Sequence, residues 1–210
     1  MTEFRLLSNF VFESADTEAC VAKIQRYIDE HSTDAITYKR FPVDEEDELR
    51  IESGLIDVLL SPNQAEYHPF PYNQPVFSMS LESSEICQDD GAERLSEFID
   101  LVTLVYNATD PLYVFGMLSY RLDAIGVEVP PPISDEGLAE ELINHPTWLM
   151  MFPPEMVETY GREWIENLPV DHVDSLDDGG LFVVATFDVT DSTLLYESMQ
   201  ALEQAFENHP

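Results

Sequence analysis

Apolar residues recur at helical spacing in several stretches of this chain, and the clearest of these is 92–108. Its apolar residues fall on one face of a helix, which is the pattern of an amphipathic helix that packs on a core. They are Leu95, Phe98, Ile99, Val102, Val105 and Tyr106. The same spacing predicts helices over 16–31 and over about 192–207.

Two further helices are predicted in the second half of the chain. Ser134, followed by two acidic residues, is a suitable N-cap for a short helix over 135–143. Pro153 and Pro154 precede another helix with an apolar stripe at helical spacing. That stripe is Val157, Tyr160, Trp164 and Leu168.

Other stretches alternate apolar and polar residues or form short apolar runs, as strands do. The predicted strands are 3–13, 35–42, 76–82, 112–118, 148–152, 170–176 and 181–187. Residues 49–60 are ambiguous, and the five consecutive acids at 44–48 are interpreted as a solvated turn. Asp-Asp-Gly-Gly at 177–180 predicts a hairpin, because a tight turn of this type needs positive φ angles.

Strands joined by turns, with helices between them, predict an α+β fold. We expect an antiparallel or mixed β-sheet covered by amphipathic helices on one face, in a single domain over 1–210. The last third of the chain repeats the same kinds of element. This leaves a diverged duplication of 1–109 and 110–210 as an open alternative, although no residue-level repeat proves it.

The charge of the chain is extreme, with 42 Asp and Glu against 9 Lys and Arg and a formal net charge of −33. Self-repulsion of this size destabilises a compact state. The Debye length shrinks from about 8–10 Å at ordinary salt to about 3 Å at 1 M, so concentrated salt would suppress most of the repulsion. The composition resembles that of cytoplasmic proteins from extreme halophiles.

The charge has two other interpretations, which are disorder and mimicry of nucleic acid. Disorder does not fit, because 44% of the residues are hydrophobic and 11% are aromatic. Mimicry of nucleic acid requires carboxylates concentrated on one surface, whereas residues 1–105 hold 22 acids and 106–210 hold 20. This even distribution favours general solvation, and it leaves a folded acidic face as an alternative.

Signatures of catalysis and of cofactor binding are absent from the sequence. It contains no glycine-rich phosphate loop, no HExxH and no GxSxG. Cys20 and Cys87 form no CxxC pair, and the five histidines are scattered. We therefore expect no cofactor, no metal and no enzymatic activity. A small-molecule enzyme with an unrecognised carboxylate and histidine site is the alternative.

The sequence also bears on location. No basic patch is present to neutralise phosphates, so direct binding to nucleic acid or to an anionic membrane is not expected. No segment reaches the roughly 18 unbroken apolar residues of a membrane span, and no secretory signal is recognised. A cytoplasmic location is the default expectation.

Several residues are candidates for contact with a partner. The loop over 61–75 is rich in proline and aromatic residues, and long loops in compact domains are often functional. Its candidates are Tyr67, His68, Phe70 and Tyr72, and the favoured alternative is that these rings cap the core. His145, Trp148 and Arg162 are further candidates. Arginine is scarce in this chain, so each arginine should pair with several acids or lie at a contact. Trp148 could instead belong to the core.

The second half of the chain carries a succession of structural motifs. PLYVFG at 111–116 follows a long helix, and PTWLMMFPPEMVETYG at 146–161 is followed by Leu168-Pro169 and by DDGGLFVV at 177–184. This succession resembles immunity-type proteins that accompany polymorphic or type VI secreted toxins in bacteria. The resemblance implies an α+β sheet protein that works by binding a partner and has no catalysis of its own.

Together these observations predict a salt-adapted, non-enzymatic protein that binds a specific protein partner, with neutralisation of a toxin as the particular form that the resemblance implies. An enzyme acting on a small molecule and an acidic mimic of nucleic acid are the alternatives. The oligomeric state is left open by the sequence.

Overall fold

The structure is a computed structural model that describes residues 4–13, 17–31, 36–43, 46–62, 75–120 and 131–209. In these residues nine strands form one open sheet, in the order β2-β3-β4-β5-β1-β6-β7-β9-β8. Every neighbouring pair of strands is antiparallel. The predicted α+β class is therefore confirmed, and the sheet is antiparallel and not mixed.

The strands are β1 Phe4–Val11, β2 Ile36–Val43, β3 Glu46–Ser53, β4 Ile56–Pro62, β5 Val76–Glu82, β6 Tyr113–Tyr120, β7 Leu149–Phe152, β8 His172–Ser175 and β9 Leu181–Val184. The helices are α1 Thr17–His31, α2 Ser83–Ile86, α3 Gly91–Thr109, α4 Asp135–Glu140, α5 Pro154–Tyr160, α6 Arg162–Glu166 and α7 Ser192–Glu207.

Helices cover both faces of the sheet, so the expectation of a single covered face is wrong. Alternate strand residues point to opposite faces, and the apolar residues divide accordingly into two clusters. The first contains Leu6 and Val114 together with the apolar stripes of α1 and α3. The second contains Phe115 and Met150 together with α5 and α6. The strands can supply both clusters because β6, β7 and β9 are apolar on both sides.

Two of the predicted elements are reproduced closely. The strand expected over 76–82 is β5, and the last helix spans residues 192–207 as expected. The hairpin turn over 177–180 lies between β8 and β9, with Gly179 at φ +94°. Ser134 is the N-cap of α4, where its hydroxyl accepts a hydrogen bond from the backbone N–H of Gly137 at 3.0 Å.

Other predicted boundaries change. Three of the five acids at 44–48 belong to β3, so the expected turn is wrong for residues 46–48. The ambiguous stretch 49–60 forms parts of β3 and β4 around a turn at Gly54. The helix expected after Pro154 is interrupted at Gly161, whose φ of +83° ends α5 and begins α6. The residues 61 and 62 end β4, and the rest of the predicted loop up to residue 74 lies outside the described residues.

Helix α3 forms hydrogen bonds to two turns that are far apart in the sheet. The carboxylate of Glu97 accepts a hydrogen bond from the N–H of Leu55 at 2.8 Å, and the guanidinium of Arg94 donates one to the Leu55 carbonyl at 2.6 Å. At the other end of the helix, the hydroxyl of Tyr106 donates to Asp178 in the β8–β9 turn at 2.7 Å. The helix thus holds the two halves of the sheet in a fixed relation.

Candidate functional site

A groove of about 270 Å³ lies between β6 and α7, and we call it the β6–α7 groove. Residues 116–118 of β6 form its floor, and Leu195, Met199 and Glu203 of α7 form one wall. Pro132 and residues 145–148 form the opposite wall. Most of these side chains are apolar, whereas His145 and Glu203 are exposed polar groups.

The wall opposite α7 is held by local hydrogen bonds. The carbonyl of Pro132 accepts from the N–H groups of both Asn144 and His145, at 2.8 and 2.9 Å. The side-chain oxygen of Asn144 accepts from the N–H of Ser134 at 2.6 Å. These bonds close the 132–145 segment around α4 and place His145 beside the strand that follows.

Trp148 lies against the backbone of β6 because residue 116 is a glycine. A Cβ atom at Gly116 would lie 2.8 Å from Nε1 and Cε2 of the Trp148 indole and 2.7 Å from Cβ of Leu149. The indole therefore occupies the space that a side chain at position 116 would fill. Trp148 is only 2% exposed, so it belongs to the core and also forms part of the groove.

Two buried polar atoms near this floor have no hydrogen-bond partner in the described part of the chain. One is Nε1 of Trp148, and the other is the hydroxyl of Ser8, whose strand position is directly opposite Gly116. A buried donor without a partner costs about 1–3 kcal/mol. Both atoms are buried, and the indole N–H lies against the backbone of β6 at Gly116, so neither atom is exposed to the groove.

An exposed aromatic ring continues the groove along α7. Tyr196 is 61% exposed, the largest value among the large hydrophobic residues described, and it lies three residues before Met199 on the helix. Residues three apart are neighbours on a helix surface, so Tyr196 flanks the α7 wall. Its hydroxyl accepts a hydrogen bond from Gln200 at 2.7 Å, which holds the ring along the helix.

Of the residues expected to contact a partner, His145 and Trp148 come together in this groove. Arg162 lies elsewhere. Its guanidinium donates to the carbonyl of Gly179 at 2.5 Å and lies 3.5 Å from Glu166, so it fastens α6 to the β8–β9 turn. The expected contacts Tyr67, His68, Phe70 and Tyr72 lie outside the described residues.

Sequence reasoning missed Gly116, Tyr196 and Glu203. The stripe of α7 was expected to face the core, and Leu202 does so while Met199 also borders the groove. The signal available in the sequence was Tyr196, which lies next to the apolar stripe of α7. Nothing in the sequence indicates that β6 and α7, about 80 residues apart, form one groove.

A second, more polar cleft of about 750 Å³ lies on the sheet beside Gly54. Its carboxylates are paired with cations: Asp57 with Arg50, Glu52 with Lys39, Glu82 with Arg5 and Glu85 with Arg94. The hydrogen bond from Arg50 lowers the pKa of Asp57 below its ordinary value. No group of three or more His, Cys, Asp or Glu residues in the described ranges could hold a metal ion.

Among the helices described, none is both long and apolar enough to cross a membrane. No protein-family model matches this chain, and no curated protein matches it closely enough to indicate a relationship.

Proposed function

We propose that this protein acts by binding one specific, positively charged protein, which inserts an apolar side chain into the β6–α7 groove. A secreted toxin is the partner implied by the resemblance of the second half to immunity-type proteins. The protein would then be a non-enzymatic, cytoplasmic antagonist. The observation that carries the proposal is an open, largely apolar groove bordered by α7, the helix that also presents the exposed ring of Tyr196.

The size of the groove supports recognition of a side chain. Pockets for small molecules and cofactors usually span about 300–1,000 Å³, and this groove is smaller, at about 270 Å³. Protein interfaces commonly depend on a single anchor residue buried in such a pocket and surrounded by weaker contacts. Tyr196 is the type of exposed aromatic residue that is enriched at interfaces.

The charge supports a basic partner. A net charge of −33 attracts a cationic protein from a distance and repels an acidic one. At the groove itself, Glu203 would face the cations that surround the inserted side chain.

The test compares captures from native-host lysate in molar KCl by three forms of the protein. Wild-type protein and the control variant Leu194→Ala should retain the same stoichiometric partner. Leu194 is exposed on α7 and does not line the groove. Met199→Arg should lose that partner, because it places a cation and a longer side chain in the groove.

The captured protein, once purified, should bind Met199→Arg at least about tenfold more weakly than the control. Equal binding by all three forms, or no partner at all, would exclude the groove as the binding site. A separate growth experiment tests whether the partner is a toxin. Expression of the partner should stop the growth of cells unless this protein is expressed with it, and a harmless partner would rule out neutralisation.

A further inference from the structure

One face of the sheet differs in charge from the rest of the molecule. It consists of the side chains of β1 to β5 that point away from α1 and α3, and we call it the open sheet face. Its charged residues form a network of cross-strand ion pairs. They are Arg5 with Glu82, Arg50 with Asp57 and Glu52, and Lys39 with Glu52. All six side chains are between 40% and 65% exposed.

The side chains described on the open sheet face are close to neutral in sum. Among the strand side chains described there, three of the nine basic residues of the chain face four acids, with Glu48 as the fourth, for a net charge of −1. The whole chain carries −33. Leu59 adds an apolar side chain, 39% exposed, between these charges.

We propose that the open sheet face is where a second copy of this chain docks, face to face about a twofold axis. Two molecules of this net charge repel each other over most of their surfaces, and a nearly neutral patch lets them approach. A twofold interface requires a patch that is complementary to itself. Glu52 lies directly opposite Asp57 and Lys39 lies directly opposite Arg50, so the acids and the cations form two neighbouring rows. A twofold axis between the rows places the cations of one copy over the acids of the other.

The area of the open sheet face indicates how strongly two copies should associate. Asn9 and Val11 of β1 are buried, so the open part of the face spans about four strands. Four strands spaced about 4.8 Å apart, with about seven residues each at about 3.3 Å, cover a patch of roughly 19 by 23 Å, or about 440 Å². Specific complexes usually bury about 800 Å² on each partner. The dimer should therefore be weak and dependent on concentration.

The experiment is sedimentation velocity over a concentration series of the full chain in molar KCl, where the fold is expected to be most stable. Wild-type protein should shift reversibly from monomer to dimer. Arg50→Glu places another anion on the open sheet face and should weaken the association by about tenfold. The matched control is Lys23→Glu, which makes the same change of charge on the exposed side of α1, on the other side of the sheet.

Arg50→Glu should still fold, because an exposed ion pair contributes little to stability, and far-ultraviolet circular dichroism checks this point. A wild-type protein that stays monomeric at every concentration would overturn the proposal. Equal association by Arg50→Glu and wild type would also overturn it. The groove is lined by other residues, so Met199→Arg should dimerise normally, and a failure of the partner-binding proposal is thus distinguishable from a failure of this one.

Discussion

At the scale of single residues, the groove depends on one missing side chain. Gly116 allows the Trp148 indole to lie against the backbone of β6, and a Cβ atom there would approach the ring to 2.8 Å. Contacts this short force a neighbour to move, and the neighbour here is a rigid ring whose residue is almost fully buried. Glycine at this position therefore shapes the floor of the groove.

We expect Gly116→Ala to displace the indole and to lower the free energy of unfolding by about 1–3 kcal/mol, the usual cost of overpacking a core. The measurement is urea unfolding in molar KCl, together with the emission spectrum of Trp148. The chain has two tryptophans, so Trp164→Phe serves as the background in which Trp148 alone is observed. An unchanged spectrum and midpoint would mean that the ring does not lie against Gly116.

At the scale of elements, α3 connects two turns that lie in different halves of the sheet. The bond from Tyr106 to Asp178 is one of these connections, and Asp178 also accepts from the N–H of Gly180 at 2.8 Å within the turn. The tyrosine is 2% exposed, so its hydrogen bond is shielded from water on the helix side. A bond from a buried donor to a carboxylate is stronger than one between neutral groups.

We expect Tyr106→Phe to lower the free energy of unfolding by about 1–2 kcal/mol, since it removes a hydrogen bond to a charged group. Tyr196→Phe is the matched control, because its exposed hydroxyl bonds only within α7 and its loss should cost less than about 0.5 kcal/mol. Urea unfolding of the two variants in molar KCl makes the comparison, and equal losses would remove the role assigned to Tyr106.

The stability of Tyr106→Phe at alkaline pH provides a second test. Burial, followed by the bond to Asp178, raises the pKa of Tyr106 above its ordinary value of 10.0. The folded state then keeps a proton that the unfolded state releases above about pH 10, so stability falls as the pH rises beyond that point. Tyr106→Phe should make this fall shallower by up to about 1.4 kcal/mol per pH unit.

Local patterns predicted several elements well, because their cause is local. The stripe of α7 and the alternation of β5 each follow from burying one side of an element. The failures have long-range causes. The acids at 46–48 extend β3 because pairing with β2 continues as far as Val43 and Glu46. The groove joins β6 to α7, and a contact so distant along the chain has no signature in either element.

At the scale of the whole molecule, we expect the net charge of −33 to have a large effect on stability. Most of the ion pairs described lie on exposed side chains, where each contributes at most about 1 kcal/mol. Arg94 bonds to Asp90, Glu85 and the carbonyl of Leu55. With 9 basic residues for 42 acids, such pairs cannot offset the repulsion among the remaining carboxylates. We expect counter-ions from the solvent to do so.

We therefore expect the fold to be lost as KCl is lowered from molar to millimolar concentration at neutral pH. The screening length is about 3 Å at 1 M and about 30 Å at 0.01 M, so the repulsion between carboxylates is no longer suppressed. Circular dichroism and Trp148 emission in the Trp164→Phe background follow the transition. NaCl of equal ionic strength should protect as well as KCl, whereas sucrose of equal osmolality should protect less if screening is the cause. A spectrum unchanged down to millimolar salt would mean that the core alone outweighs the repulsion, and the high acidity would then need an explanation other than adaptation to salt.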